Sequence, residues 1–265
     1  MRYLFRQLSA SIGLRLTVAS SLDSEQPRRH TACLLTALLL FALNPATAQA
    51  ADEPYESMQL GPEPGENNSR LFADQSGTPQ GGLIIISSAE SDNMRLINLA
   101  HYLTHYGWTG LITSLPAPAA DADNPNSGAD GEILGLAIEF MQQQKGQFNL
   151  VLLALNETWP RLYTDSLAGK PQLQGLILLN VDSTTTLSGL PKKMPLLDIA
   201  TGRRTPFKFA ERKSQAQRYS LAEYQQVSLP PAYPSLTLRE NRFTKRIRGW
   251  LLRHVQGMEI GAATR

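Results

Sequence analysis

From Gly82 onward the chain alternates between unbroken apolar runs and longer stretches that repeat an apolar residue every third or fourth position. "GLIIISS" (82–88) is continuous and rich in β-branched residues, as expected of a strand covered on both faces. The pattern then changes period. Between Asp92 and Tyr106, Leu96, Leu99, Ala100 and Leu103 fall at helical spacing. "WTGLITSL" (108–115) predicts a second strand, and "GEILGLAIEFMQQQKG" (131–146) a helix with Ile133, Leu136, Ala137, Phe140 and Met141 on one stripe, stopping at Gly146. Further strands are predicted at 148–155, 173–181, 194–201 and 224–230. Thr205 followed by Pro206 signals a helix start running to about Tyr219. Residues 240–257 predict a closing helix with Phe243, Ile247, Trp250 and Leu251 on one face.

Strands alternating with helices imply right-handed crossovers and a mostly parallel central sheet with helices on both faces, an α/β architecture of three layers. Ligand chemistry in such a sheet belongs at the carboxyl ends of the strands. The domain is expected over 81–260. Ahead of it, 51–80 are polar and rich in Pro, Gly and Asn, and read as an extended or poorly ordered lead-in with one edge strand near Ser69–Phe72.

The first 50 residues read as a signal peptide. A basic "QPRRH" precedes an apolar block from Ala32 to Leu43, and "ATAQA" ends in small residues, placing cleavage between Ala50 and Ala51. The block is shorter than the roughly 20 residues of a bilayer span. The stretch before "RRH" is long for a signal, which leaves room for a start downstream of Met1. Periplasmic or secreted localisation follows as an expectation, with no transmembrane helix in the mature chain. Removing residues 1–50 takes away five Arg against one Asp and one Glu, turning the formal +2 of the whole chain into −1. No nucleic-acid partner is implied, because phosphate backbones need an excess of cations. The one cysteine, Cys33, lies in the signal. The mature chain therefore has no thiol for disulfides, metal ligation or nucleophilic catalysis.

The order of elements resembles the α/β-hydrolase fold. More narrowly, "PLLDI", "YQQVSLP" and "RIRGWLLRH" resemble a bacterial family of unknown function within that superfamily, over roughly Ser69 to Glu259. The resemblance implies a nucleophile elbow, G-x-S-x-G, in the turn after the strand at 148–155. That turn reads Ala154-Leu155-Asn156-Glu157-Thr158, so Asn156 stands at the nucleophile position and Ala154 and Thr158 replace the glycines. An amide is no nucleophile. The loop expected to carry the histidine base, "PPAYPSLTLRE", has none, and "TGRRTP" offers no acid after the penultimate strand. Asp198 lies inside that strand and reads as a structural polar residue. The catalytic set is thus expected to be empty, with no cofactor and no metal.

Other constellations have plainer readings. His101 and His105 sit four apart without the Glu of a zincin motif, and both point away from the apolar stripe, which predicts a solvated helix face. Asp121, Asp123 and Glu132 lack the central glycine of a calcium loop. His254 reads as a half-buried packing residue. The basic residues of 239–253 read as solvent-facing cations beside a packed apolar face, with a membrane-surface helix as the alternative. What remains at the carboxyl edge is a candidate cleft for an anionic or sugar-like ligand, formed by Ser88, Ser91, Asp182, Arg203 and Arg204, with "SSAES" (87–91) in place of the usual oxyanion loop. Two functions are compatible with this reading. One is a non-catalytic binding or scaffold protein of the cell envelope, with a small-molecule or envelope-protein partner. The alternative is an esterase-type hydrolase using Ser88 or Ser91 with Glu157 or Asp182.

Overall fold

Each strand of the central sheet sends alternate side chains into two separate cores, and that parity builds the architecture. A computed structural model describes residues 54–60, 68–88, 94–115, 128–156, 158–162, 172–182, 185–201, 206–229 and 241–257, all within the unit Glu53–Arg265. The expected signal cleavage site at Ala50 and Ala51, the acidic loop with Asp121 and Asp123, and the segment 230–240 lie outside the described residues, as do Ser91, Glu157, Arg203 and Arg204.

Among the described residues eight strands form one sheet: β1 (Glu56–Gln59), β2 (Asn68–Phe72), β3 (Gly81–Ser88), β4 (Trp108–Leu115), β5 (Leu150–Leu155), β6 (Leu173–Leu179), β7 (Leu196–Thr201) and β8 (Tyr224–Leu229). Their order is β1-β2-β4-β3-β5-β6-β7-β8. From β4 to β8 every neighbouring pair is parallel, while β1–β2 and β2–β4 are antiparallel. Strand β2 stands where expected, but β1 pairs outside it, so β1 rather than β2 forms that edge.

The helices are α1 (Met94–Thr104), α2 (Gly128–Glu139), the single turn α3 (Trp159–Leu162), α4 (Pro206–Arg218) and α5 (Arg242–His254). On one face Leu83, Ile85, Val151, Leu153, Ile177 and Ile199 meet Leu99 and Leu103 of α1 and Phe243, Ile247 and Trp250 of α5. On the other, Ile84, Ile86, Leu152, Ala154, Leu176 and Leu178 meet Ile133, Leu134 and Ala137 of α2, Trp159 of α3 and Ala216 of α4. A one-residue slip of any central strand would exchange these sets, so burial of both faces locks the register. Gly175 is needed for the fit of α5: a Cβ there would come within 2.9 Å of the Trp250 ring. Asn241 caps α5, accepting from the N–H groups of Phe243 and Thr244 at 2.9 and 3.0 Å, while Thr244 Oγ1 accepts from the Asn241 N–H at 3.1 Å.

Two details depart from the pattern-based expectation. The helix expected over 131–146 changes at Phe140 into a π turn (Phe140–Gln144), with the Lys145 N–H donating to the Phe140 carbonyl at 3.3 Å. The wider turn accompanies burial of both Phe140 and Met141, and the segment ends at Gly146 in the left-handed region, φ 64°. His101 is a correction. It is buried, not solvated, because a run from Leu99 to Thr104 is covered. Helix α1 is bordered by α5, where Arg248 Nη1 donates to the Tyr102 hydroxyl at 3.2 Å, and at its end by the 73–80 segment, where the Gln75 N–H donates to the Thr104 carbonyl at 3.0 Å. One apolar stripe underestimates the buried arc of a helix with neighbours on more than the sheet side.

Candidate functional site

The carboxyl ends of the strands are held together by side chains. At the turn after β5, Thr158 is fully buried. Its Oγ1 accepts from the Leu155 N–H at 3.0 Å and lies 3.1 Å from the Ile86 carbonyl and 3.2 Å from that of Leu155, either of which it can donate to. The hydroxyl thereby ties the turn to the end of β3. Asn156, where the resemblance implies a nucleophile, turns its Oδ1 to the backbone N–H of Asp182 at 2.7 Å. Among the described residues, the non-glycine positive φ values belong to Asn180 and Ser220, so Asn156 does not have the left-handed backbone that a strained elbow could use.

One strand further along, Asn180 follows β6 with φ 57°, a conformation asparagine tolerates well. Its side chain closes on Thr201 at the end of β7: Oδ1 accepts from the Thr201 N–H at 2.7 Å and Nδ2 donates to Oγ1 at 3.0 Å. Arg95 of α1 donates to the same Oγ1 at 3.5 Å. Beneath the 181–182 segment lies Arg212 of α4, buried to 1% exposure. Its Nη2 donates to the carbonyls of Val181 and Asp182, its Nε lies 3.7 Å from Asp198 Oδ2, and its Nη1 has no partner among the described residues. The Tyr224 hydroxyl donates to Asp198 Oδ2 at 2.9 Å.

The electrostatics follow from this burial. Asp198 is pushed above the ordinary carboxylate range by burial, which outweighs the Arg212 guanidinium and the Tyr224 hydrogen bond acting the other way. Tyr224 is raised strongly, first by burial and then by the neighbouring Asp198. Asp198 is thus a structural polar residue inside β7, as its position in the strand implied. His101 is lowered by burial and, secondarily, by His105, whose ring centroid lies 5.4 Å away.

Of the candidate site residues, Asn156 and Asp182 are brought into contact. Ser88 ends β3 half-buried, next to Ser87, whose hydroxyl is fully buried and lies 3.4 Å from the Thr113 carbonyl and 3.3 Å from Ser114 Oγ. Ser91, Arg203 and Arg204 fall outside the described residues. Among the described residues no three His, Asp or Glu side chains gather in a way that could hold a metal ion, and Glu132 lies exposed on α2. His254 is half-buried, with Nδ1 2.9 Å from Glu223 Oε2 and its ring beside Trp250.

Sequence reasoning missed Thr158, Asn180, Thr201 and Arg212. A signal for Arg212 was present: it falls in line with Ala216 on the inward face of α4, where a cation needs a buried partner, and Asp198 is a lone acid in an apolar strand. A cleft of about 310 Å³ lies elsewhere, between β1 and the π turn, lined by Met58, Leu60, Leu136, Glu139, Phe140 and Gln143 and by none of the residues above.

Residues 131–253 match the family model described as "Protein of unknown function (DUF3530)". No curated protein matches the chain by sequence. Among solved structures, the chain is similar to an α/β serine hydrolase without a lid from Xanthomonas campestris, at TM-score 0.56 and 14% identity, covering 76% of this chain and 95% of that one. It is also similar to a dienelactone hydrolase from Anabaena variabilis, at TM-score 0.56 and 16% identity over 77% and 100% of the two chains. An esterase-named protein, Est1E from Butyrivibrio proteoclasticus, matches at TM-score 0.54 and 8% identity over 75% and 98%. Identities this low carry the fold and not the activity. The sheet, its two helical layers and these likenesses show an α/β-hydrolase-like fold, in which residues 131–253 match a family of unknown function.

Proposed function

We propose that this protein is a non-catalytic α/β-hydrolase-like binding or scaffold protein, secreted to the cell envelope and acting on its ligand or partner by recognition alone. The observation that carries the reading is the use made of Asn156. An acyl-transfer elbow holds its nucleophile clear of the sheet beside a base. Here the equivalent side chain is an amide whose oxygen is engaged by the Asp182 N–H, and the hydroxyl two residues on is engaged by β3 and β5. Both groups serve the backbone. Reinstating chemistry would mean breaking the bonds that hold β5 to its neighbours.

The same edge supports recognition of an anionic or polar ligand. Arg95, half-buried on α1, reaches Thr201 at the carboxyl end of β7. In the sequence, Arg203 and Arg204 adjoin the start of α4, where free backbone N–H groups also favour negative charge. Secretion rests on the leader pattern of residues 1–50. Among the described residues no helix is long and apolar enough to cross a membrane.

A serine-directed fluorophosphonate probe and a panel of short- and long-chain aryl esters test the central claim. The expected result is no turnover above a heat-denatured control and no labelling that depends on the folded state. Stoichiometric labelling of Ser88 or Ser91 in the folded protein would establish the esterase alternative instead.

A further inference from the structure

Helix α5 turns one side to the sheet and leaves the other in solvent, and the outer side has the chemistry of an anionic surface reader. Phe243, Ile247, Trp250 and Leu251 are buried, while Arg242, Lys245, Arg246 and Arg253 are exposed. Between α5 and the edge strand β8 lies a cleft of about 110 Å³ lined by Gln225, Lys245, Arg246, Gly249, Trp250 and Arg253. That is far smaller than the roughly 300 Å³ and upward of a pocket for a drug-sized ligand. It is of a size for a single polyatomic anion. Arg246 and Arg253 have no ion-pair partner among the described residues, and the nearby Glu223 is engaged by His254.

Gly249 sits mid-helix between Lys245 and Arg253, one turn from each. A glycine there weakens the helix relative to alanine. Nothing in the fold requires it, since a Cβ at Gly249 would meet no atom within 4 Å. Its absence instead opens the floor of the cleft, so that a ligand can approach the helix backbone between the cations. Trp250, next in the chain, is buried to 3% exposure, and its Nε1 has no acceptor among the described residues.

Two large apolar side chains are left outside the core. Leu252 on α5 is 58% exposed and Phe148 is 57% exposed. Asn149 Nδ2 donates to the Val255 carbonyl at 3.0 Å, which brings the Phe148 segment against the C-terminal end of α5, close in the chain to Leu252. Exposed cations on the same helix as an exposed Leu have the recognition chemistry of an anionic lipid surface, where the basic groups take headgroup phosphates and apolar groups enter the boundary of the acyl chains.

We infer that the outer face of α5 docks on an anionic phospholipid surface, with one headgroup phosphate seated over Gly249 between Arg246 and Arg253 and with Leu252 and Phe148 as shallow anchors. The inference is independent of the carboxyl-edge reading, since none of these residues contributes to that edge.

The test is co-sedimentation of the chain from Ala51, which contains the whole unit with the core, with phosphatidylglycerol/phosphatidylcholine vesicles and with pure phosphatidylcholine. Wild type is expected to bind the anionic vesicles only, and to release at high salt. Replacing Arg246 and Arg253 together by Gln should weaken partition about fivefold per cation removed. The same charge change at Lys213 and Arg218, exposed on α4, should leave most of the binding intact. Gly249→Ala should raise Tm and still weaken binding, a combination that a purely structural glycine would not give. Leu252→Ser with Phe148→Ser should reduce binding at unchanged Tm. Equal losses from the α5 and α4 charge pairs, or a thermal shift with inorganic phosphate and no recruitment to vesicles, would overturn the inference.

Discussion

Thr158→Val isolates the role of the turn that follows β5. The substitution keeps the branched shape at a fully buried position and removes only the hydroxyl. That hydroxyl accepts from Leu155 at 3.0 Å and has one proton to give, to Ile86 at 3.1 Å or Leu155 at 3.2 Å, so two hydrogen bonds are lost at once. Buried hydrogen bonds contribute roughly 0.5–1.5 kcal/mol each, and a donor left without a partner adds to the loss. The expected cost is about 2 kcal/mol. For a domain of this size that corresponds to a fall in Tm of about 4–8 °C. Differential scanning calorimetry supplies Tm, and urea titration with an unchanged m-value shows that the native state alone was affected. Thr158→Ser retains the hydroxyl and should stay much closer to wild type. If Thr158→Val fell within about 0.5 kcal/mol of wild type, or Thr158→Ser lost as much as the valine variant, the hydroxyl would not be what holds β5 to β3.

The remaining expectations concern the same edge and its buried charges. Rebuilding the elbow by Ala154→Gly, Asn156→Ser and Thr158→Gly should give no ester turnover and a Tm below that of Thr158→Val, since the bond to the Asp182 N–H goes as well; measurable, fluorophosphonate-sensitive turnover would show that a base is in place. Arg212→Met leaves Asp198 buried without its cation and should cost about 3–5 kcal/mol in chemical denaturation. Adding Asp198→Asn should recover part of that loss, whereas strictly additive losses would refute the pairing. His101 is lowered on folding, so the unfolded chain binds its proton more tightly. Its contribution to stability is present above the ordinary histidine range and is lost as pH falls from there toward the lowered folded value. Wild-type stability should therefore decline more between pH 7 and 5 than that of His101→Leu, and parallel curves would dismiss the effect.

Much of the architecture could be read from the chain because hydrophobic period is a local property. Strand β4 lies where "WTGLITSL" predicted it, and the strands at 82–88, 148–155, 173–181, 194–201 and 224–230 and the closing helix differ from the structure only at their ends. That Asn156 stands where the resemblance implies a serine was equally legible, since it is a fact of the chain at one turn. Other features needed the assembled sheet. Strand β1 has no continuous apolar run and forms because β2 offers it an edge. His101 is buried by neighbours distant in sequence, which no helical stripe can announce.

The sequence alone determined that this is a sheet with two helical faces and that an amide, Asn156, follows the strand β5. Tertiary structure decided what that amide does, because the Asp182 N–H it engages is 26 residues away, and the bond exists only once β5 and β6 lie side by side. It also decided which charges are buried. Asp198 and Arg212 become partners across β7 and α4, since an isolated charge in that interior would cost several kcal/mol and a neighbour of opposite sign offsets much of it.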